Sequence, residues 1–122
     1  MERPYQHIEV ERTGDVFCIR LRKPTLDETG LHELSDELNQ LLAKDGCRKL
    51  VFSLGPEEPQ CLYSIFLAKL VSLQRRLKAA GGGLKLCQVG PDTLRIFDAC
   101  GLASLFTFVP DQAAAVAAFA EV

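Results

Sequence analysis

Ser64 is the residue whose type and position could do the most chemistry in this chain. It sits in Leu62-Tyr63-Ser64-Ile65-Phe66-Leu67-Ala68-Lys69-Leu70. Before it lies an apolar run, Lys49-Leu50-Val51-Phe52-Ser53-Leu54, that reads as a buried strand; after it come Phe66, Leu70, Leu73 and Leu77 at helical spacing. At or near a helix N-terminus a hydroxyl can accept from free backbone N–H groups. A phosphate added there would meet the same donors and the positive end of the helix dipole. Residue type and position leave a simple helix cap and a phosphorylated switch both open.

Four other features invite a chemical reading. Cys61 lies close to the same helix start, where a thiol pKa can fall, but a nucleophile needs an oriented base. The two histidines, His7 and His32, belong to the first strand and the first helix, so Cys61 reads as a structural thiol. Glu57 and Glu58 are adjacent carboxylates in a proline-bounded loop, and a general acid/base pair would need a pocket and opposed environments. They read as a solvated loop. Gly81-Gly82-Gly83 follows a helix and opens a strand, the reverse of a phosphate cradle, so it reads as a helix stop and tight turn. Lys69, Arg75, Arg76 and Lys78 give the second helix a basic outer face, either merely hydrated or attractive to an acidic partner surface.

The elements that position these residues follow from periodicity. Ile8 and Val10, then Phe17, Ile19 and Leu21, alternate with polar residues around Arg12-Thr13-Gly14-Asp15, a hairpin signature. Leu31, Leu34, Leu38, Leu41 and Leu42 form a stripe that predicts a helix from about Glu28 to Ala43, capped by Asp27 or Thr29. A strand at 49–54, a helix from Ser64 to about Ala80 and a strand at 84–89 come next. A short helix begins at Gly90-Pro91-Asp92, with Leu94, Phe97 and Cys100 facing inward and Gly101 as its stop. A last strand, Leu105 to Val109, leads into an alanine-rich helix ending near Phe119. The order β-β-α-β-α-β-α-β-α predicts an α/β fold with a mixed, mainly parallel sheet, an N-terminal antiparallel hairpin and about four helices on one face.

Composition bounds the function. The 122 residues are 48% hydrophobic and 25% charged, the right size for a single domain over 1–122. Fourteen basic residues are interspersed with 16 acidic ones for a net charge of −2, which predicts no nucleic-acid groove and no anionic membrane surface. No apolar run approaches the roughly 20 residues a bilayer requires, and Met1 to Gln6 lacks a signal-type stretch, so a cytoplasmic protein is expected. Five scattered cysteines (Cys18, Cys47, Cys61, Cys87, Cys100) fit reduced, mostly buried thiols, and neither a metal site nor a cofactor is expected.

The element order and four local stretches resemble the STAS domain of sulphate transporters and bacterial anti-sigma factor antagonists. Leu26-Asp27 resembles the family's Leu-Asp at the start of its first helix. Counting back from Gly81-Gly82 places the family motif Asp-Ser-Ser-Gly-Leu-Gly on Tyr63-Ser64-Ile65-Phe66-Leu67-Ala68, so Ser64 falls on the phosphorylatable serine. Gly101-Leu102-Ala103-Ser104-Leu105-Phe106 is similar to a later Gly-Leu and Leu-Phe stretch. The chain departs from the motif at Tyr63, Ile65, Phe66 and Ala68. The resemblance implies a STAS fold without catalytic activity and a partner surface on Asp27, Tyr63, Ser64, Ile65 and Phe66. It also implies capture of an anti-sigma factor that is a serine kinase of the GHKL type, with a PP2C-type phosphatase resetting Ser64. The alternative is a constitutive interaction or scaffold module in which Ser64 only caps its helix. An enzyme with Cys61 as nucleophile ranks third.

Overall fold

The computed structural model describes residues 5–55, 57–61 and 63–120; Leu62 and the first four residues of the Met1 to Gln6 stretch, named above, lie outside them. The chain opens with a hairpin of β1 (Ile8–Thr13) and β2 (Val16–Leu21), paired antiparallel with Thr13 opposite Val16. Gly14, at φ +63°, supplies the left-handed turn residue. Helix α1 (Glu28–Ala43) follows, begun by Asp27, whose Oδ1 accepts the Gly30 N–H at 2.7 Å. Then come β3 (Lys49–Ser53), α2 (Tyr63–Ala79), β4 (Gly83–Cys87), α3 (Pro91–Ala99), a 3-10 turn at Ala103–Leu105, β5 (Thr107–Val109) and α4 (Gln112–Ala120).

Spatial strand order is β1-β2-β3-β4-β5, and every pairing after the hairpin is parallel. Each crossover therefore adds a strand beside the last. Alternation divides the strands between two faces. Phe17 and Ile19, Leu50 and Phe52, and Leu84 and Leu86 point to one face, where they meet Leu31, Leu34, Leu38 and Leu41 of α1 and Phe66, Leu70, Leu73 and Leu77 of α2. Each fully buried side chain of this kind contributes about 1.5–3 kcal/mol.

Val16, Cys18, Val51 and Cys87 point to the other face, and α4 covers them with Ala115, flanked by Val116 and Phe119. The sheet is thus sandwiched, three helices in front and one behind, whereas the sequence reading put every helix on one face. Strands β2 and β3 are apolar on both sides and need two covers.

Three local differences share simple causes. Strand β4 ends at Cys87 because Gln88 adopts φ +53°. On α3 the inward pair is Thr93 and Phe97, four residues apart; Leu94 is 39% exposed and Cys100 is exposed as well. Leu105, 47% exposed, belongs to the 3-10 turn and not to the last strand. The glycine triplet is a helix stop and turn as expected. Gly81 has φ +90°, the Gly82 N–H bonds back to the Leu77 carbonyl at 2.9 Å, and a Cβ on Gly82 would lie 1.8 Å from the Arg48 carbonyl oxygen. The buried Gln74 amide fastens α2 to two neighbours: its Oε1 accepts from Leu84 N at 2.9 Å and its Nε2 donates to the Leu105 carbonyl at 3.1 Å.

Candidate docking surface at the start of helix α2

The segments that precede α1 and α2 are stitched together. Leu26 N donates to the Gln60 carbonyl at 2.9 Å, Gln60 N donates to the Pro24 carbonyl at 2.7 Å, and Thr25 bridges Gln60 in parallel. Both helices consequently start at the same end of the sheet, beyond the carboxyl ends of β2 and β3, where open α/β sheets present their binding residues. Asp27 is exposed there but is committed through Oδ1 to capping α1.

Ser64 is exposed and is the second residue of α2, so it lies inside the first turn. Its hydroxyl makes no hydrogen bond among the described residues. Tyr63, half-buried beside it, is a brace. Its hydroxyl donates to the Pro59 carbonyl at 2.6 Å and lies 3.2 Å from the Thr93 hydroxyl, tying the loop, α2 and α3 together. Burial raises the Tyr63 phenol above its ordinary value, and the Thr93 hydrogen bond offsets part of that rise. Ile65 is half-buried on the flank of α2 that faces α1.

Phe66 is not a surface residue. It is 1% exposed, edge-on to Phe52 with ring centroids 6.3 Å apart and to Tyr63 at 6.0 Å. The expectation that it would stand at the centre of a docking surface fails. Helical spacing with Leu70, Leu73 and Leu77 turns it onto the sheet.

Glu58, expected to be solvated, reaches across to α3 and accepts from the N–H groups of Asp92 at 3.1 Å and Thr93 at 3.2 Å. Helix α3 has no capping side chain of its own at Gly90, so a carboxylate remote in sequence satisfies its free donors and faces the positive end of its dipole. Gly90 makes the approach possible, since a Cβ there would stand 1.9 Å from Glu58 Oε1. The one sequence signal was a Gly-Pro helix start with no Ser, Thr, Asp or Asn in front of it.

Cys61 is pushed up to about 11 by burial, which keeps the thiol protonated at neutral pH. Neither histidine serves it: His7 Nε2 lies 3.0 Å from Glu33 Oε1, and His32 is exposed on α1. Among the described residues no group of three or more His, Cys, Asp or Glu side chains is placed to hold a metal ion, and no helix is long and apolar enough to cross a membrane.

What the surface does offer is a groove of about 440 Å³ between α1 and α2. Ser64, Ile65 and Lys69 line it from α2, and Ser35, Leu38 and Asn39 from α1. It combines hydroxyl, amide and ammonium groups over an aliphatic floor. That suits recognition of another molecule; no acid/base pair or activated nucleophile lines it.

The same fold occurs in solved structures of anti-sigma factor antagonists. The chain matches an anti-sigma-factor antagonist (STAS) domain protein from Planctomyces limnophilus at 20% identity with a TM-score of 0.80, over 93% of this chain and 98% of that one. It matches an anti-sigma factor antagonist from Mycobacterium paratuberculosis at 20% identity and TM-score 0.71, over 99% and 100%. It matches the Bacillus cell fate determinant SpoIIAA in its phosphorylated form at 17% identity and TM-score 0.68, over 91% and 98%. The sequence pattern of the STAS domain extends over residues 7–115, and with the mixed five-stranded sheet it places this chain in the STAS domain family.

Proposed function

We propose that residues 1–122 act as a single STAS module of the anti-sigma factor antagonist kind, capturing an anti-sigma factor in a bacterial cytoplasm through the surface around Ser64. The observation that carries this reading is the position of Ser64: exposed, its hydroxyl unengaged among the described residues, in the first turn of α2 and on the rim of a groove. Phosphorylation by the captured kinase adds about −1.5 to −2 charges at that rim. The partner would then have to bury a doubly charged group on docking, and the complex weakens. A PP2C-type phosphatase restores binding. That SpoIIAA, a protein of this fold, exists in a phosphorylated form supports a covalent switch.

A constitutive module is the second reading, and a specific observation favours it. The motif's acidic residue is replaced by Tyr63, which is fastened to Pro59 and Thr93, and one of its glycines by the buried Phe66. The first turn of α2 is therefore bulkier and more rigid than the motif it resembles.

One experiment separates the two readings. Wild type, Ser64→Ala and Ser64→Asp are each mixed with a GHKL-type anti-sigma kinase from the same genome, with and without ATP, and both complex formation and the mass of the chain are followed. The switch predicts phosphate uptake in wild type only, ATP-resistant binding by Ser64→Ala and weak binding by Ser64→Asp. Equal binding by all three proteins, with no gain in mass, establishes the constitutive module in its place.

A further inference from the structure

We propose that the groove between α1 and α2 receives an acidic amphipathic helix of the protein partner, with carboxylates two helical turns apart; the inference rests on the partner-capture reading above.

Charge on the groove is one-sided. Its lining includes two cations, Lys69 and Arg76, and no carboxylate. Lys69 forms no ion pair among the described residues, and Arg76 uses one guanidinium nitrogen to donate to Asn39 Oδ1 across the groove, which leaves its other N–H donors for a ligand. The carboxylates of α1 are turned elsewhere. Glu37 accepts the backbone N–H groups of Gln6 and His7 at 2.7 and 2.9 Å, and Glu33 holds His7, both on the flank of α1 away from α2. Asp36 is exposed and lies outside the lining. Arg75 and Lys78 add positive charge along the outer surface of α2.

Spacing specifies the shape of the occupant. Lys69 and Arg76 are seven residues apart on one helix, about 10.5 Å along its axis. An α-helix lying alongside repeats that distance between its own positions i and i+7. Between the two cations α2 contributes Leu73 and the small Ser72, with Leu38 of α1 opposite, and Ile65 and Ala68 extend this low aliphatic floor past Lys69. The complementary helix thus carries Glu or Asp at i and i+7 and leucine-like residues at i+3 and i+4.

The test uses two synthetic peptides of about 15 residues, long enough for four helical turns. One has Glu at i and i+7 with Leu at i+3 and i+4, and the other has Lys in place of Glu. Each is titrated into the isotopically labelled full chain, and amide shifts are followed by NMR. The acidic peptide should shift Ser35, Asn39, Ala68 and Ser72 and bind about tenfold more tightly than the basic one. The doubly reversed chain, Lys69→Glu with Arg76→Glu, should prefer the basic peptide. Equal affinity for the two peptides, shifts elsewhere on the surface, or no shift overturns the groove. The Ser64 switch is judged separately: if Ser64→Asp captures the anti-sigma kinase as well as wild type while the peptide preference holds, the switch falls and the groove stands. If the Ser64 variants behave as a switch while neither peptide shifts the groove, the groove falls alone.

Discussion

Replacing Phe66 by alanine separates a residue that holds the domain together from one that holds a partner. The ring is 1% exposed and lies edge-on to two others, Phe52 at 6.3 Å and Tyr63 at 6.0 Å. Truncating a buried phenylalanine costs about 3–5 kcal/mol in lost transfer free energy and residual cavity. Each edge-to-face pair adds about 0.5–1.5 kcal/mol beyond its buried area. The cavity would open beneath the first turn of α2, where Tyr63 is pinned to Pro59 and Thr93 and cannot swing in to fill it. A loss of about 4 kcal/mol is therefore expected, a large share of the roughly 5–15 kcal/mol that holds such a domain. Urea titration followed by far-UV circular dichroism should show the midpoint fall by about 2 M, and the melting temperature should drop by roughly 15 °C. Phe66→Leu, which keeps most of the volume, should lose about 1–1.5 kcal/mol. A Phe66→Ala protein that loses less than about 1 kcal/mol would refute the placement of the ring in the core and return it to the docking surface.

Glu58→Ala and Gly90→Ala should each destabilise the chain by about 1 kcal/mol, because the first removes the remote cap of α3 and the second pushes the Glu58 carboxylate off it. Their combination should cost little more than either alone, a non-additivity that a double-mutant cycle in urea measures. Lys49 holds the Asp15 carboxyl below its ordinary value by a hydrogen bond and by its charge. The stability this contributes is present above the carboxyl's unfolded pKa and is lost as pH falls through the lower folded value. Lys49→Met should flatten the acid limb of a stability–pH curve below about pH 4 and leave its neutral region's slope unchanged. In a thiol-reagent assay near pH 8, exposed Cys100 should react first; Cys18 and Cys61, raised to about 11 by burial, and Cys47, raised to about 12, should react only as the chain opens.

Residues whose environment is set by near neighbours were the legible ones. Asp27 and the leucine stripe define α1 from Glu28 to Ala43, because a cap and an amphipathic face are local features. Phe66 is the instructive failure. Periodicity alone groups it with Leu70, Leu73 and Leu77, and only the alignment of a six-residue motif drew it to the surface, so the physical signal was the better guide. The cover on the rear face also left a trace, since Val16-Phe17-Cys18-Ile19 is apolar without interruption and a strand covered on one face alternates. The cap that Glu58 gives α3 could not be read from the sequence, because its partners are 34 and 35 residues away. Nor could the α1–α2 groove, whose charge balance depends on which flank of α1 turns Glu33 and Glu37 away from it.

Placement of α4 sets an order on how the chain matures during synthesis. Each strand joins the sheet beside its predecessor, so the hairpin, β3 and β4 can assemble with α1 and α2 as they leave the ribosome, through contacts close in sequence. Val16, Cys18, Val51 and Cys87 meanwhile face water, because the helix that covers them is made after all five strands. A nascent chain halted before residue 112 therefore has a finished front and an uncovered rear, an apolar strip suited to chaperones and to other unfinished copies. Closure by α4 is the step that withdraws this strip from water and completes the rear half of the core.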